Sequence, residues 1–403
     1  MVELIFLLLS AALFLSFSYI YAKKLQTSVA ISFVTGLIIR LITSAVFSSV
    51  QNYDTDSYEL VARSVLSGAN IYMHPALEHH PYFPLFMYVP AFVALLTSNP
   101  QFFILILKLI FSLFDSAIIL LVYRTALRKK NAALLYAVNP ITILITCYHG
   151  QFDAVVLLFL LCSFYYLSRT VRERIGMLLF SAAIALKTWP LLLIAFPFKK
   201  VRSWKNLLLL VVFPIVSTII YSFLFSSRIQ DIIGVILRYR GVYGEWGMTK
   251  YLLSEENMSS QFRILFSTLV VFLIFLYSIK LKWKRGFASA LKVLLLFFVL
   301  TPSFGVQWLM WLVPFFLIVM PKYAYGFLMA VFVYVFLTYG SWIAVNASTA
   351  PLWHATLTVA GFILYVLFIL YWVYMNMNFI YNRRRIEETH EKTEPVSGDT
   401  SKE

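Results

Sequence analysis

Long apolar stretches alternate with short polar ones along almost the whole chain. Crossing ~30 Å of hydrocarbon takes about 20 apolar residues at ~1.5 Å each, so runs such as 206–226 and 353–375 predict transmembrane helices. The same pattern predicts helices over 3–22, 28–50, 82–97, 101–123, 131–148, 153–168, 175–198, 262–280 and 323–345, with a pair, 288–300 and 308–320, around the turn at 301–305. The expected fold is all-α and polytopic, with about 11–12 membrane segments and two extramembrane loops. Segment 3–22 has no basic residue before it and no small-residue cleavage site, so it is read as a retained helix rather than a signal peptide.

The polar punctuation orients these segments. Lys and Arg gather at 23–24, 128–130, 172–174, 199–205, 280–285 and 383–385, which the positive-inside rule places in the cytoplasm, together with the tail 381–403, expected to be disordered. Counting from either terminus then puts 51–81 and 227–261 on the opposite, extracytoplasmic side, where the sequon at Asn346 also falls. The middle has a parity conflict. Three apolar segments separate Lys24 from Arg128, and one separates Arg174 from Lys199. Either the clusters at 124–130 and 169–174 are external, or 82–97 and 175–198, broken by Pro84, Pro90 and Pro190, enter and leave on one side. Both options stay open.

Composition changes the picture only by exclusion. With 61% hydrophobic and 13% charged residues, the chain exceeds the apolar content of soluble proteins, about 45–50%, and falls below their charged content, about 25%. The net charge of +15 lies in short linkers rather than on a continuous basic face, so anionic lipid headgroups are the expected partner and nucleic acid is not. Cys147 and Cys162 lie in apolar segments and define no disulfide framework.

Candidate chemistry sits in the few polar residues. In the first loop, Asp56 with Glu59 three residues on predicts a capping box for a surface helix over 57–67 that ends at Gly68. Asp54 and Asp56 are the candidate catalytic carboxylates: one caps while the other acts as general base, its pKa raised by partial burial. Capping alone is the ordinary structural reading. His79 and His80 close the loop as candidate phosphate or sugar contacts, since a histidine pair without a third ligand rarely holds a metal. No cofactor is indicated, and a divalent cation is left open. The second loop offers Arg238, Arg240, Trp246 and Lys250, guanidinium forks and rings suited to phosphate and sugar, against the ordinary reading of an aromatic belt. Ionisable groups within the slab are costly and therefore informative. Lys187, with a carbonyl freed by Pro190 nearby, and Asp153, His149 and Gln151 are candidate substrate contacts, as is Gln307. Lys108 and Asp115 are too far apart on one helix to pair, so each needs a partner from another helix; Arg40 is read as structural.

Asp54-Thr55-Asp56, then Gly68-Ala69-Asn70-Ile71-Tyr72 and Tyr82-Phe83-Pro84-Leu85, followed in order by Phe114-Asp115, Val138-Asn139-Pro140, His149-Gly150-Gln151-Phe152-Asp153 and Leu186-Lys187-Thr188-Trp189-Pro190, resembles the GT-C superfamily of integral-membrane glycosyltransferases. The branch it resembles includes the mannosyltransferases of GPI-anchor synthesis and polyprenyl-phosphate-sugar-dependent prokaryotic enzymes. The resemblance covers about 28–320 and leaves 1–27 as an extra helix. It implies inverting transfer of a hexose, mannose first, from a dolichyl- or polyprenyl-phosphate donor to a glycan, glycolipid or protein acceptor, with Asp54 or Asp56 as base. It also implies seven simple passes from 28 to 226, with 124–130 and 169–174 external. The rival is a secondary transporter or flippase, disfavoured by the absence of a sequence repeat and kept alive by Lys187 and Asp115.

Overall fold

The computed structural model describes residues 2–73, 79–126, 131–168, 172–238, 259–301, 304–344 and 350–391, with backbone alone at 260, 263, 285 and 378–391. Among them every regular element is helical. Seven helices are long and apolar enough to cross a membrane: α1 (Val2–Lys23), α2 (Val29–Val46), α5 (Pro100–Thr125), α6 (Ala132–His149), α10 (Trp204–Phe225), α15 (Ala324–Ile343) and α16 (Ala350–Glu391, apolar to Met377). Four more helices have shorter apolar stretches: α7 (Asp153–Ser168), α12 (Ser260–Lys280, apolar from Ile264), α13 (Gly286–Leu300) and α14 (Val306–Val319). Between them lie α3 (Tyr53–Leu66), α4 (Tyr88–Leu96), α8 (Glu173–Leu186), α9 (Ala195–Lys200) and α11 (Ile229–Arg238). The protein is an all-α, multi-pass membrane protein. Its outer helices display large apolar side chains, such as Leu8, Phe223, Leu265 and Leu352, on faces that hydrocarbon would cover.

The helix directions resolve the parity conflict. Segment 82–97 contains only α4, nine residues and about 13 Å long, too short to cross. It stays beside α3: the Arg63 guanidinium donates to Ser98 O at 3.4 Å, just before α5 begins. Segment 175–198 is a hairpin. Helix α8 rises from Glu173 to Lys187, whose ammonium meets Asp153 at 2.7 Å. The chain then returns through the 3₁₀ turn Trp189–Leu193 and α9. At its foot Lys199 donates to Ile279 O and Leu281 O, and Asn206 donates to Glu173 at 3.2 Å. Helices α2 and α5 run antiparallel, with Ser44 against Ser112 and Arg40 against Asp115, so Arg124 ends near the start of α2. The seven simple passes implied by the resemblance are therefore corrected. Lys23–Lys24, Arg124, Arg172–Arg174, Lys199–Lys205 and Lys280–Lys284 all lie at one end of the bundle, and α3 lies at the other.

Inside the slab, the buried charges of Arg40, Asp115 and Lys108 are each held by partners. Arg40 and Asp115, both 0% exposed, form an ion pair at 2.6 Å. The remaining Arg40 donors reach Ala137 O at 2.7 Å, Thr142 Oγ1 at 3.0 Å, and the carbonyls of Gly36 and Tyr136, while Tyr136 donates to Asp115 Oδ1 at 2.6 Å. This locks α2, α5 and α6 together; stranding one partner of such a pair costs about 3–5 kcal/mol. A Cβ on Gly36 would come within 2.3 Å of Ile119, so the close α2–α5 approach needs that glycine. Lys108, also 0% exposed, has no carboxylate partner among the described residues. Its ammonium donates to Phe47 O and Tyr148 O, each at 2.7 Å, and to Val50 O at 3.3 Å.

Cysteines introduced at Thr125 and Glu173 are expected to react with a membrane-impermeant maleimide from the same side as one at Lys24, and from the side opposite one at Tyr53. Labelling of 125 or 173 from the Tyr53 side would restore the seven-pass topology.

Candidate active site

The site is assembled where the C-terminal ends of α2 and α6 meet α3. Asn52, rather than Asp56, is the N-cap of α3: its Oδ1 accepts from Asp54 N at 3.0 Å and Thr55 N at 3.2 Å, and Thr55 Oγ1 accepts from Asn52 N at 2.9 Å. The expected Asp56–Glu59 capping box is thus displaced by Asn52–Thr55, and the helix starts four residues earlier than predicted. Its end is as predicted, with Gly68 at φ +75° after Ser67. The free Asn52 amide donates to His149 O at 2.7 Å, tying the cap to the end of α6.

That end is unusual. Leu144–His149 is a π-helical turn, a local widening often found at functional positions. Gly150 closes it at φ +88°, where a Cβ would press on Lys108 at 3.1 Å and Thr55 at 3.2 Å. His149, 2% exposed, is held at both nitrogens: Nδ1 by the Tyr339 hydroxyl at 2.8 Å and Nε2 by Asp54 Oδ2 at 3.0 Å. Burial alone would raise the Asp54 pKa, but the His149 hydrogen bond and charge, Lys187 and Gln151 together hold it below the ordinary carboxylate value. The raised pKa expected for an acting carboxylate is therefore not found at Asp54. Asp56 is exposed, and its pKa is raised by partial burial and by Glu59.

On the neighbouring side, Asp153 opens α7 with both oxygens engaged: Lys187 Nζ at 2.7 Å and Trp311 Nε1 at 2.7 Å. Asp153, rather than a carbonyl freed by Pro190, is the partner of Lys187, whose ammonium also lies 4.2 Å from the Phe152 ring centre. Lys187 stands in the wall of a groove of about 570 Å³ that runs between the turn after α8 and helices α12, α13 and α14. Apolar side chains dominate the groove; Thr188, Ser267, Thr268, Thr301 and the indoles of Trp189, Trp308 and Trp311 supply its polar atoms. The Trp189 N–H is buried with no hydrogen-bond acceptor among the described residues.

The other candidates scatter. Gln151 is buried, accepts from Tyr58 OH at 3.3 Å and lies 3.4 Å from His149 Nε2, inside the same cluster. His79 is bound to Ser57 Oγ at 2.6 Å and stacks on Tyr53. His80 is 3% exposed among Tyr72, Tyr82 and Phe86, with Nε2 toward Phe83 O, and burial pushes its pKa down to about 4; it packs as a neutral core residue. Arg238 ends α11 with its Nε on Gly234 O at 3.0 Å. Gln307 folds over Gly305, outside the linings of the groove and of the cavity beside Asp54. Arg240, Trp246 and Lys250 lie outside the described residues. Among the described residues no group of three or more His, Cys, Asp or Glu is placed to hold a metal.

Residues 81–231 match the model of Glycosyltransferase family 87. The matched stretch carries Lys108, His149, Gln151, Asp153 and Lys187, and supports glycosyltransferase activity in this integral membrane protein. No curated protein and no solved structure matches the chain. Asp54, Asn52, Trp311 and Tyr339 lie outside the match and complete the cluster by folding. Asn52 carried a readable signal, a cap residue three positions before Thr55. Tyr339 and Trp311 carried none, because their partners lie 190 and 158 residues away.

Replacing Asn52 by Ala removes the acceptor of two helix-end amides. The amides of Asp54 and Thr55 are expected to exchange hydrogen faster, with about 1 kcal/mol of local stability lost. Unchanged exchange at both would show that the cap does not hold the helix end.

Proposed function

We propose that this protein is an inverting glycosyltransferase of the GT-C type. It transfers a hexose, with mannose the first candidate, from a dolichyl- or polyprenyl-phosphate to an acceptor hydroxyl. The observation that carries the reading is the position of Asp54: a half-buried carboxylate fixed by His149, with a cavity on one side and the Lys187 groove within electrostatic reach. The apolar groove suits a polyprenyl tail. Lys187, Thr188 and the unpartnered Trp189 N–H suit a phosphate at its head. Placing the basic end of the bundle in the cytoplasm puts this chemistry on the extracytoplasmic side, and the C-terminal tail in the cytoplasm.

In the proposed step the acceptor oxygen attacks C1 of the hexose as the bond from C1 to the phosphate oxygen breaks. The acceptor's proton passes to Asp54 Oδ1, and the lipid phosphate leaves with the bonding electron pair. His149 holds the other Asp54 oxygen, so the reactive one is aimed before substrate arrives. Asp54 is assigned as base over Asp56 because it lines a cavity and Asp56 is exposed. A depressed pKa weakens the base but keeps it ionised into acid solution. The charges that favoured a transporter, Lys187 and Asp115, are both held in ion pairs, as a fixed scaffold would hold them.

Two outcomes test this. Asp54→Asn is expected to lower transfer from a polyprenyl-phosphate hexose about 10²–10⁴-fold while membrane insertion and thermal stability persist; full activity would remove the assignment. With Asp54 depressed, the acid limb of the rate profile lies below the ordinary carboxylate value of about 3.9. In His149→Ala the two largest depressing contributions vanish and burial remains, so the Asp54 pKa rises and the acid limb moves to higher pH. An acid limb unmoved by His149→Ala would mean that another group controls it.

A further inference from the structure

A second cavity, of about 480 Å³, lies on the far side of the α3 tip. Its wall contains Asn52, Tyr53, Asp54 and His149 from the site, Val2 from α1 and Trp342 from α15. It is separate from the Lys187 groove, since the two share no lining residue. We propose that this cavity is the acceptor subsite, and that it takes a neutral saccharide ring rather than a protein hydroxyl. The proposal deepens the glycosyltransferase reading and rests on it.

Charge separates the two cavities. Among the described residues, the wall of the second carries one carboxylate and neither lysine nor arginine, so a phosphate placed there is repelled by Asp54. The groove on the other side has the ammonium of Lys187. The anionic donor therefore belongs with Lys187, and the second cavity is left for an uncharged ligand rich in hydroxyls. Its polar groups suit that ligand: the Gln51 and Asn52 side-chain amides and Asp54 can meet hydroxyls, and Tyr53 and Trp342, 63% and 47% exposed, offer ring surface to the C–H face of a sugar. Trp342 is braced edge-on against both His149, at 5.5 Å, and Tyr339, at 5.1 Å, so a ring laid on it is referenced to the same histidine that holds Asp54. The volume falls among small-ligand pockets, about 300–1,000 Å³, and exceeds what a serine or threonine hydroxyl would fill.

The walls have a further implication. Helices α1 and α15 both lie outside the stretch that matches the glycosyltransferase family, so most of the wall of this cavity, all but Tyr148 and His149, is built by residues that the match does not cover.

The test uses the full chain in lipid nanodiscs with octyl α-mannoside, octyl β-glucoside and a serine/threonine hexapeptide as probes. In Ile343→Cys, an octyl hexoside is expected to protect the new thiol from maleimide saturably, and the peptide is not. Adding Trp342→Ala is expected to raise the half-protecting concentration about tenfold, and Trp342→Phe to restore most of it. In transfer assays Trp342→Ala raises the acceptor KM while the donor KM stays within about twofold. Absence of protection by both hexosides, protection by the peptide instead, or a rise in the donor KM alone would overturn the subsite. Saturable hexoside protection in a protein that fails to use any polyprenyl-phosphate hexose would support the subsite and refute the donor reading.

Discussion

The ammonium of Lys108 is the pin on which the site turns. Buried in α5 without a carboxylate, it is satisfied by carbonyls from two separate chain ends: Phe47 and Val50 after α2, and Tyr148 at the end of α6. Helix C-termini present unpaired carbonyls and the negative end of the helix dipole, so one cation can hold two of them side by side. The residues that follow those carbonyls are Asn52 and Asp54 on one strand of chain and His149 on the other. Neither strand is regular at that point, and Gly150 must take a left-handed conformation so that its backbone can pass over the lysine stem. The carboxylate and the imidazole meet because the lysine brings their backbones together.

Around that pin the site is built from three distant parts of the chain. The loop after α2 provides Asp54, the ends of α6 and α8 provide His149 and Lys187, and the C-terminal helices provide Tyr339 and Trp311. Each charged member is balanced by a neighbour: Lys187 by Asp153, Arg40 by Asp115, and Asp54 by hydrogen bonding to His149. Unpaired charge in a low-dielectric slab is costly, which explains why the same residues appear both as scaffold and as chemistry.

The sequence was most legible where the membrane imposes its own rules. Long apolar runs fixed the helical class, and the prolines at 84, 90 and 190 marked the two segments that do not cross simply. The Asp-x-Asp tip and Lys187 stood out because polar residues are scarce. The division of labour between Asp54 and Asp56 was not legible. Two residues apart, Asp54 and Asp56 lie about 200° around α3 from each other, so Asp54 faces His149 and Asp56 faces water, an arrangement that depends on Asn52 rather than Asp56 capping the helix. Tyr339 and Trp342 looked like any other aromatic residues of an apolar helix. Their significance comes from packing against a histidine almost 200 positions earlier. The positive-inside rule proved more informative than the count of apolar segments, because short and broken helices upset the count without moving the charges.

Among the described residues, the groove beside Lys187 is bordered by helices α12 and α13. On the proposed reading, a lipid donor reaching it would move within the plane of the bilayer and keep its tail in hydrocarbon throughout. Encounter is then a two-dimensional search, governed by the mole fraction of the lipid in its leaflet and by bilayer fluidity, and almost indifferent to the volume of water outside. Dilution of the cell suspension would leave such an enzyme saturated; dilution of its membrane with inert lipid would starve it.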